Sequence, residues 1–252
     1  MPSNKIIHRH ILEVELNGKI TDTRACQFNL VTQKGFSSVI ASLYFPAASK
    51  DGKKGDTIKV YIADKERKDL YFTGTVDGVF ERSPYRLLSL TDSYSKLCNI
   101  MFTASYRKEK ASSIINDILD AAGVSEKLVT VPDVELARFS TKTIPAHLVL
   151  DILIGALKEH SAKELCYFFD EKNCFHFGTT KDTGKNTGRT FCFNTKETIF
   201  SHSADWIETL PSPIRHSMQV TVDGVSREVI RTELTVREKV SRLLLYFGGS
   251  GL

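Results

Sequence analysis

Apolar–polar alternation recurs through the first third of this chain, and no other feature limits the possible folds as much. "ILEVELNGKI", "ACQFNLVT", "SVIASLYF", "TIKVYIA" and "LYFTGTVDGVF" follow one another, and "YRLLSLTDSY" adds a further segment. A period of two sends successive side chains to opposite faces, so each segment reads as a half-buried strand. Asn17-Gly18 is a strong dipeptide for a two-residue hairpin turn. Strands this short and this numerous leave two adhesive edges unless the sheet closes, so the pattern predicts a small barrel or sandwich.

The period then changes. In "KEKASSIINDILDAAGV", Ile114, Ile115, Ile118, Leu119 and Ala122 share one helical face, and Gly123 stands where a helix C-cap belongs. "TIPAHLVLDILIGALKEHSA" predicts a second helix, with Thr143 as its cap, Pro145 in its first turn and Lys158 and His160 near its C-terminal dipole. "KLVTVPDVELARFST" between them reads as irregular or extended, and "ELCYFFDEKNCFHFG" as strand, polar turn, strand. "TTKDTGKNTGRT" is a polar linker. Alternation returns in "SMQVTVDGV", "EVIRTELTVRE" and "RLLLYFG". The expected division is a first β-barrel over 1–98, an α/β insert of two helices and a hairpin over 99–183, and a second, minimal β-barrel over 184–252. The fold class is α+β and β-rich.

Composition removes several function classes. Apolar residues make up 41% and charged residues 25% of the 252, ordinary for a globular chain with a sizeable core. A net charge of +4 does not demand a nucleic-acid partner. No apolar run approaches the roughly 20 residues of a membrane span. "MPSNKIIHRH" lacks the apolar core of a signal peptide, so synthesis and folding in a cytoplasm are expected. Cys26, Cys98, Cys166, Cys174 and Cys192 have no paired close spacing and read as reduced, mostly buried thiols.

Motifs of catalysis are weak. Around "GTTKDTGKNTG", Gly178 is one residue too far from Gly184 for a P-loop, and Asn186 stands where a hydroxyl should hold magnesium. Cys166, Cys174, His176, Cys192 and His202 assemble a zinc site only on paper, since no C-x2–4-C knuckle is present; apolar packing is favoured. A two-residue turn would put Cys166 and Cys174 on opposite faces of the hairpin, a three-residue turn on one face. No nucleophile elbow marks a serine or cysteine, and His8, His10, His147 and His160 read as structural or exposed. Asp64, Glu66 and Asp69 alternate with Lys65, Arg67 and Lys68, as at a solvated hairpin tip. The expectation is no enzyme, with no catalytic residue, cofactor or metal ligand assigned. Phe36, Tyr44, Phe45, Tyr61, Tyr71 and Phe72 are the candidate platforms of a single-stranded nucleic-acid-binding barrel, which stays open as an alternative, with an unrecognised hydrolase behind it.

Several stretches together resemble the baseplate hub proteins of contractile phage tails, a family that includes the hub portion of type VI secretion spikes and the late-control tail proteins. "GDTIKVYIADKERKDLYFTGTVDGVFE" looks like the family's strand, turn and "lF-x-G-x-V" strand. "YRLLSLTDSYSKLCNIMFTASYRKEKASSIINDILDAAGV" is similar to its closing strand, "D-x-x-x-x-L" step and helix. "ELCYFFDEKNCFHFG" matches a hairpin that often reads aromatic-D-x-x-G/N-x-L-x-F, and "WIETLPSPIRHSMQVTV" the Pro-containing entry to the second barrel. The resemblance implies a homotrimer whose six tube-like barrels adapt a hexameric tail tube to a trimeric spike. It further implies contacts with baseplate wedge components, no sequence-specific nucleic-acid binding, and assembly into a virion tail or injection particle. The second barrel is short, and no fused lysozyme or spike segment follows it, so a spike would be a separate protein.

Overall fold

A computed structural model describes residues 10–64, 67–131, 134–160, 164–179, 189–237 and 240–248. The hairpin tip at Lys65 and Glu66, His8, most of the expected linker and P-loop-like stretch, and the last four residues lie outside the described residues.

The first strand set is β1 (Ile11–Leu16), β2 (Lys19–Thr21), β3 (Gln27–Gln33), β4 (Ile40–Pro46), β5 (Thr57–Ala63), β6 (Lys68–Arg82) and β7 (Tyr85–Thr91). The insert follows as α1 (Tyr94–Asn99), β8 (Met101–Phe102), β9 (Ser105–Lys110), α2 (Ala111–Ala121), β10 (Lys127–Thr130), β11 (Glu135–Ser140), β12 (Ile144–Pro145), α3 (Ala146–Lys158), β13 (Leu165–Phe169) and β14 (Phe175–Thr179). The last set is β15 (Cys192–Phe193), β16 (Ile199–His202), β17 (Trp206–Thr209), β18 (Gln219–Val222), β19 (Val225–Arg237) and β20 (Val240–Phe247).

Alternation in sequence becomes alternation in burial. β3 and β4 each bury every second residue, and the same holds along β1. Asn17 and Gly18 both adopt positive φ, 47° and 79°, and Leu16 pairs with Lys19, which is the predicted two-residue hairpin. Asp223 and Gly224, at 48° and 85°, make the same turn between β18 and β19.

The fold is α+β and β-rich, and the main sheet is antiparallel apart from the short parallel pairing of β15 with β18. The two strand sets lie on one continuous path, β16-β17-β20-β19-β3-β4-β7-β6-β5-β1-β2, and among the described residues no ladder closes either set into a ring. The link is β19. Its first half pairs with β18, and Arg231–Arg237 then pairs with Gln27–Gln33 of β3, so one long strand belongs to both sets. Thr32 and Thr232 face each other across this seam, their hydroxyls 2.8 Å apart and buried. One apolar cluster serves both sets, running from Leu12, Phe28 and Phe45 to Val220, Leu234 and Leu245.

Gly74, the glycine of the "lF-x-G-x-V" strand, sits where a side chain has no room. A Cβ there would lie 2.2 Å from the Thr91 carbonyl oxygen and 2.6 Å from the Phe72 ring. Two register shifts, between Val60 and Tyr61 and between Val76 and Gly78, bend β6 within the sheet.

The insert holds a separate cluster, centred on Leu97, Ile114, Ile118, Leu150, Leu153 and Phe177. α2 buries Ile114, Ile115, Ile118 and Leu119, as its periodicity predicts. It ends with Gly123 at φ 65°, whose N–H donates to Asp120, while the Val124 N–H donates to Leu119. These two bonds satisfy carbonyls that a helix end otherwise strands. Thr143 does not cap α3, because its hydroxyl pairs with that of Thr103 at 2.7 Å. The first free N–H of α3, on Ala146, donates instead to the Ile100 carbonyl, since β12 lies antiparallel to β8. The stretch read as irregular supplies two strands: β10 runs parallel to β14, and β11 antiparallel to β9. Among the described residues no helix is long and apolar enough to cross a membrane.

Candidate assembly surface and a polar hairpin loop

The strand path has two ends. Among the described residues β2 pairs only with β1 and presents Ile20 at 73% exposure, and β16 pairs only with β17 and presents Phe200 at 55%. Edge strands are commonly blunted by shortness or by bulges. β2 is three residues long, and β16 has a register irregularity between Ile199 and Ser201. The exposed apolar side chains at both ends run against that blunting. Phe36 and Ile40 around the β3–β4 turn, and Phe80 and Tyr85 at the β6–β7 hairpin, are also exposed.

Insert and sheet meet around Asp92, the aspartate of the "D-x-x-x-x-L" step, whose leucine, Leu97, is fully buried. One Asp92 oxygen accepts the Tyr94 N–H at 3.0 Å and so starts α1; the other is buried with no partner. Burial pushes this carboxyl up to about 6, against the backbone N–H groups and the Arg215 charge that favour ionisation. Close by, Asn173 accepts the Ser93 N–H at 2.9 Å and donates to the Ser93 hydroxyl at 2.8 Å. Arg215 lies over the Phe168 ring and pairs with Glu171. His216 meets Phe168 edge-on at 4.7 Å. Burial holds His216 down at about 3, so it is neutral and serves packing, not proton transfer.

The β13–β14 loop explains its own sequence. Asp170 accepts N–H bonds from Lys172 and Cys174, both at 2.9 Å, and its other oxygen lies 3.0 Å from His176 Nε2. Asn173 takes φ 67°, a conformation that asparagine or glycine tolerates best. The aspartate and the G/N position of the hairpin pattern are therefore turn-formers. The loop spans five residues, since Phe169 pairs with Phe175. Neither of the two turn lengths weighed from sequence occurs, and Cys174 falls within the loop.

Of the paper zinc set, the structure brings Cys174 and His176 together with Asp170, which sequence reasoning did not select as a ligand. Cys166, Cys192 and His202 lie outside this group. The five cysteines carry free thiols, but only Cys26 is buried; Cys98, Cys166 and Cys174 are half-buried and Cys192 is exposed. The expectation of mostly buried thiols is corrected: Cys98 lies on α1, Cys166 on β13, Cys174 in the β13–β14 loop and Cys192 on β15, each at least partly exposed. Asp170, Cys174 and His176 do not form a nucleophilic triad. Burial and neighbouring carboxylates push the Cys174 thiol up to about 11, whereas a nucleophilic cysteine needs a lowered value. Of the aromatic platforms, Phe45, Tyr71 and Phe72 are buried in the sheet core, and among the six Phe36 is the exposed one, with Tyr44 and Tyr61 half-buried.

No family model and no curated protein matches the sequence. Solved structures match the whole fold. A 43 kDa tail protein of prophage MuSo2 from Shewanella oneidensis superposes with a TM-score of 0.71 at 10% identity, over 96% of this chain and 98% of that one. A tail protein from Neisseria meningitidis MC58 gives 0.71 at 8% identity, over 97% and 98%. This chain has the fold of phage tail proteins. The same fold extends to the E. coli c3393 protein, a type VI secretion component with structural similarity to the T4 tail proteins gp27 and gp5. It superposes at 0.67 with 10% identity, over 94% of this chain and 77% of that one.

Proposed function

We propose that this chain is a structural hub of a contractile phage tail or related injection particle, working by shape and not by catalysis. Three copies form a ring that presents six strand sets to a hexameric tail tube on one side and threefold symmetry to a spike protein on the other. Wedge components of the baseplate bind its periphery. The observation that carries this reading is the sheet that joins two strand sets through β3 and β19 and, among the described residues, ends at β2 and β16. An edge at each end is suited to head-to-tail association, which closes into a ring when the rotation per subunit allows it. The fold shared with tail proteins and a type VI component supports the same reading.

Sedimentation equilibrium of the purified chain tests it. A trimer is expected, and combined Ile20→Lys and Phe200→Lys substitutions should return it to monomer without loss of the circular-dichroism signal. A chain that stays monomeric at every concentration overturns the ring. A monomer that binds single strands with a steep salt dependence supports the nucleic-acid-binding alternative instead.

A further inference from the structure

We propose that the loop between β13 and β14 binds one divalent cation of the zinc class through the Asp170 carboxylate, the Cys174 sulfur and the His176 imidazole. Ligand atoms of these three residues all lie within 4.8 Å of one another. They offer one oxygen, one sulfur and one nitrogen, a mixture suited to a borderline cation, whereas magnesium and calcium favour oxygen alone. Three protein ligands leave the fourth tetrahedral position to water.

The loop is already shaped for this. Asp170 spends one oxygen on the Lys172 and Cys174 N–H groups, which leaves the other directed at His176. Asn173 ties the turn to Ser93 from the far side. The His176 ring stacks on Phe168 at 5.2 Å with planes 9° apart, which fixes its orientation. Little ordering is then left to oppose binding.

An independent observation points to a missing ligand. His176 is 6% exposed, yet its Nδ1 has no hydrogen-bond partner. A buried ring nitrogen left unpaired is a standing penalty. A cation is taken at Nε2, the nitrogen that faces Asp170, and the proton displaced from there is carried by Nδ1. Asp170, Glu126 and Glu171 surround Cys174 with negative charge that a cation would offset. Zinc takes the sulfur as thiolate, so a sulfur–zinc bond forms as the S–H bond breaks and the proton leaves to solvent. Bound there, the cation would stiffen the hairpin where it meets Ser93 and Arg215.

The test strips the full chain with a chelator and titrates it with zinc alone, then with cobalt as a spectroscopic substitute. One equivalent of zinc should bind with release of protons, and cobalt should show a thiolate charge-transfer band. Cys174→Ser should abolish that band and weaken zinc by at least about 100-fold, and Asp170→Asn by at least about tenfold, with unchanged circular dichroism. Cys192→Ser, at an exposed thiol elsewhere, should alter neither. No saturable uptake at stoichiometric zinc, or equal uptake by Cys174→Ser, overturns the proposal. Should a His176 variant fail to fold, Cys174→Ser remains decisive, because its side chain is only half-buried.

Discussion

In the insert, every buried residue of the apolar cluster comes from one unbroken run between Leu97 and Phe177. In the sheet, the cluster joins Leu12–Leu90 to Phe193–Phe247, with the whole insert lying between them in sequence. The insert is therefore a local structure, and the sheet exists only once both ends of the chain are present. Local contacts lose little chain entropy on closing, and distant ones must offset a larger loss.

The sharpest way to break this contrast is to remove one large side chain from each core. Phe28→Ala should destabilise by about 3–5 kcal/mol. Hydrogen exchange should then show β1–β7 and β17–β20 losing protection together. Ile118→Ala should take away about 2–5 kcal/mol, with faster exchange confined to α2, α3 and the β13–β14 hairpin. Exchange in the first strand set that leaves the last set protected would show two independent cores where one is described.

Next in size is the joint between the two regions. Asp92 holds its proton more tightly in the folded chain than in the unfolded one, at about 6 against an ordinary 3.8. Its contribution is therefore complete below the ordinary aspartate range and falls away as pH rises through about 6. The loss is about 3 kcal/mol on the scale of one carboxyl shifted by this much. Asp92→Asn keeps the acceptor for the Tyr94 N–H and never ionises. Urea unfolding between about pH 4 and pH 7 should slope downward for the natural chain and less steeply for the variant. Equal slopes would mean the carboxyl is not buried at the joint.

The smallest effect lies at the β3–β19 seam. Thr32→Val strands the Thr232 hydroxyl and the His216 N–H, which donates to Thr32 at 3.2 Å, for a loss of about 1–3 kcal/mol. Adding Thr232→Val should recover part of that loss, because the two hydroxyls satisfy each other at 2.8 Å. Additive losses would show that the hydroxyls act separately and that the seam does not couple the strand sets.

This contrast also explains what could be read from the chain. α2 was legible down to its terminal glycine because periodicity and capping are local signals. Strands of the first set were legible for the same reason, as was the Asn17-Gly18 turn. The β3–β19 ladder was not, because alternation says which face of a strand is apolar and nothing about which strand lies beside it. The cap of α3 was misassigned because its partner is the carbonyl of Ile100, a backbone group at the end of α1 that carries no sequence signature. At the β13–β14 loop, the aspartate–asparagine pattern announced a turn, but the convergence of Asp170 with His176 depended on a five-residue loop length that the pattern does not specify.

The pairing of Thr32 with Thr232 also sets a clock. The two positions are 200 residues apart, so at about 5–20 residues per second the ribosome needs roughly 10–40 s to deliver the second after the first. Throughout that interval the edge of β3 that pairs with β19 has no partner, while the insert has everything it needs to fold. Crowded synthesis of many copies would bring such edges together before their own partner arrives. The nascent chain, more than the finished protein, is where this fold is exposed to mispairing.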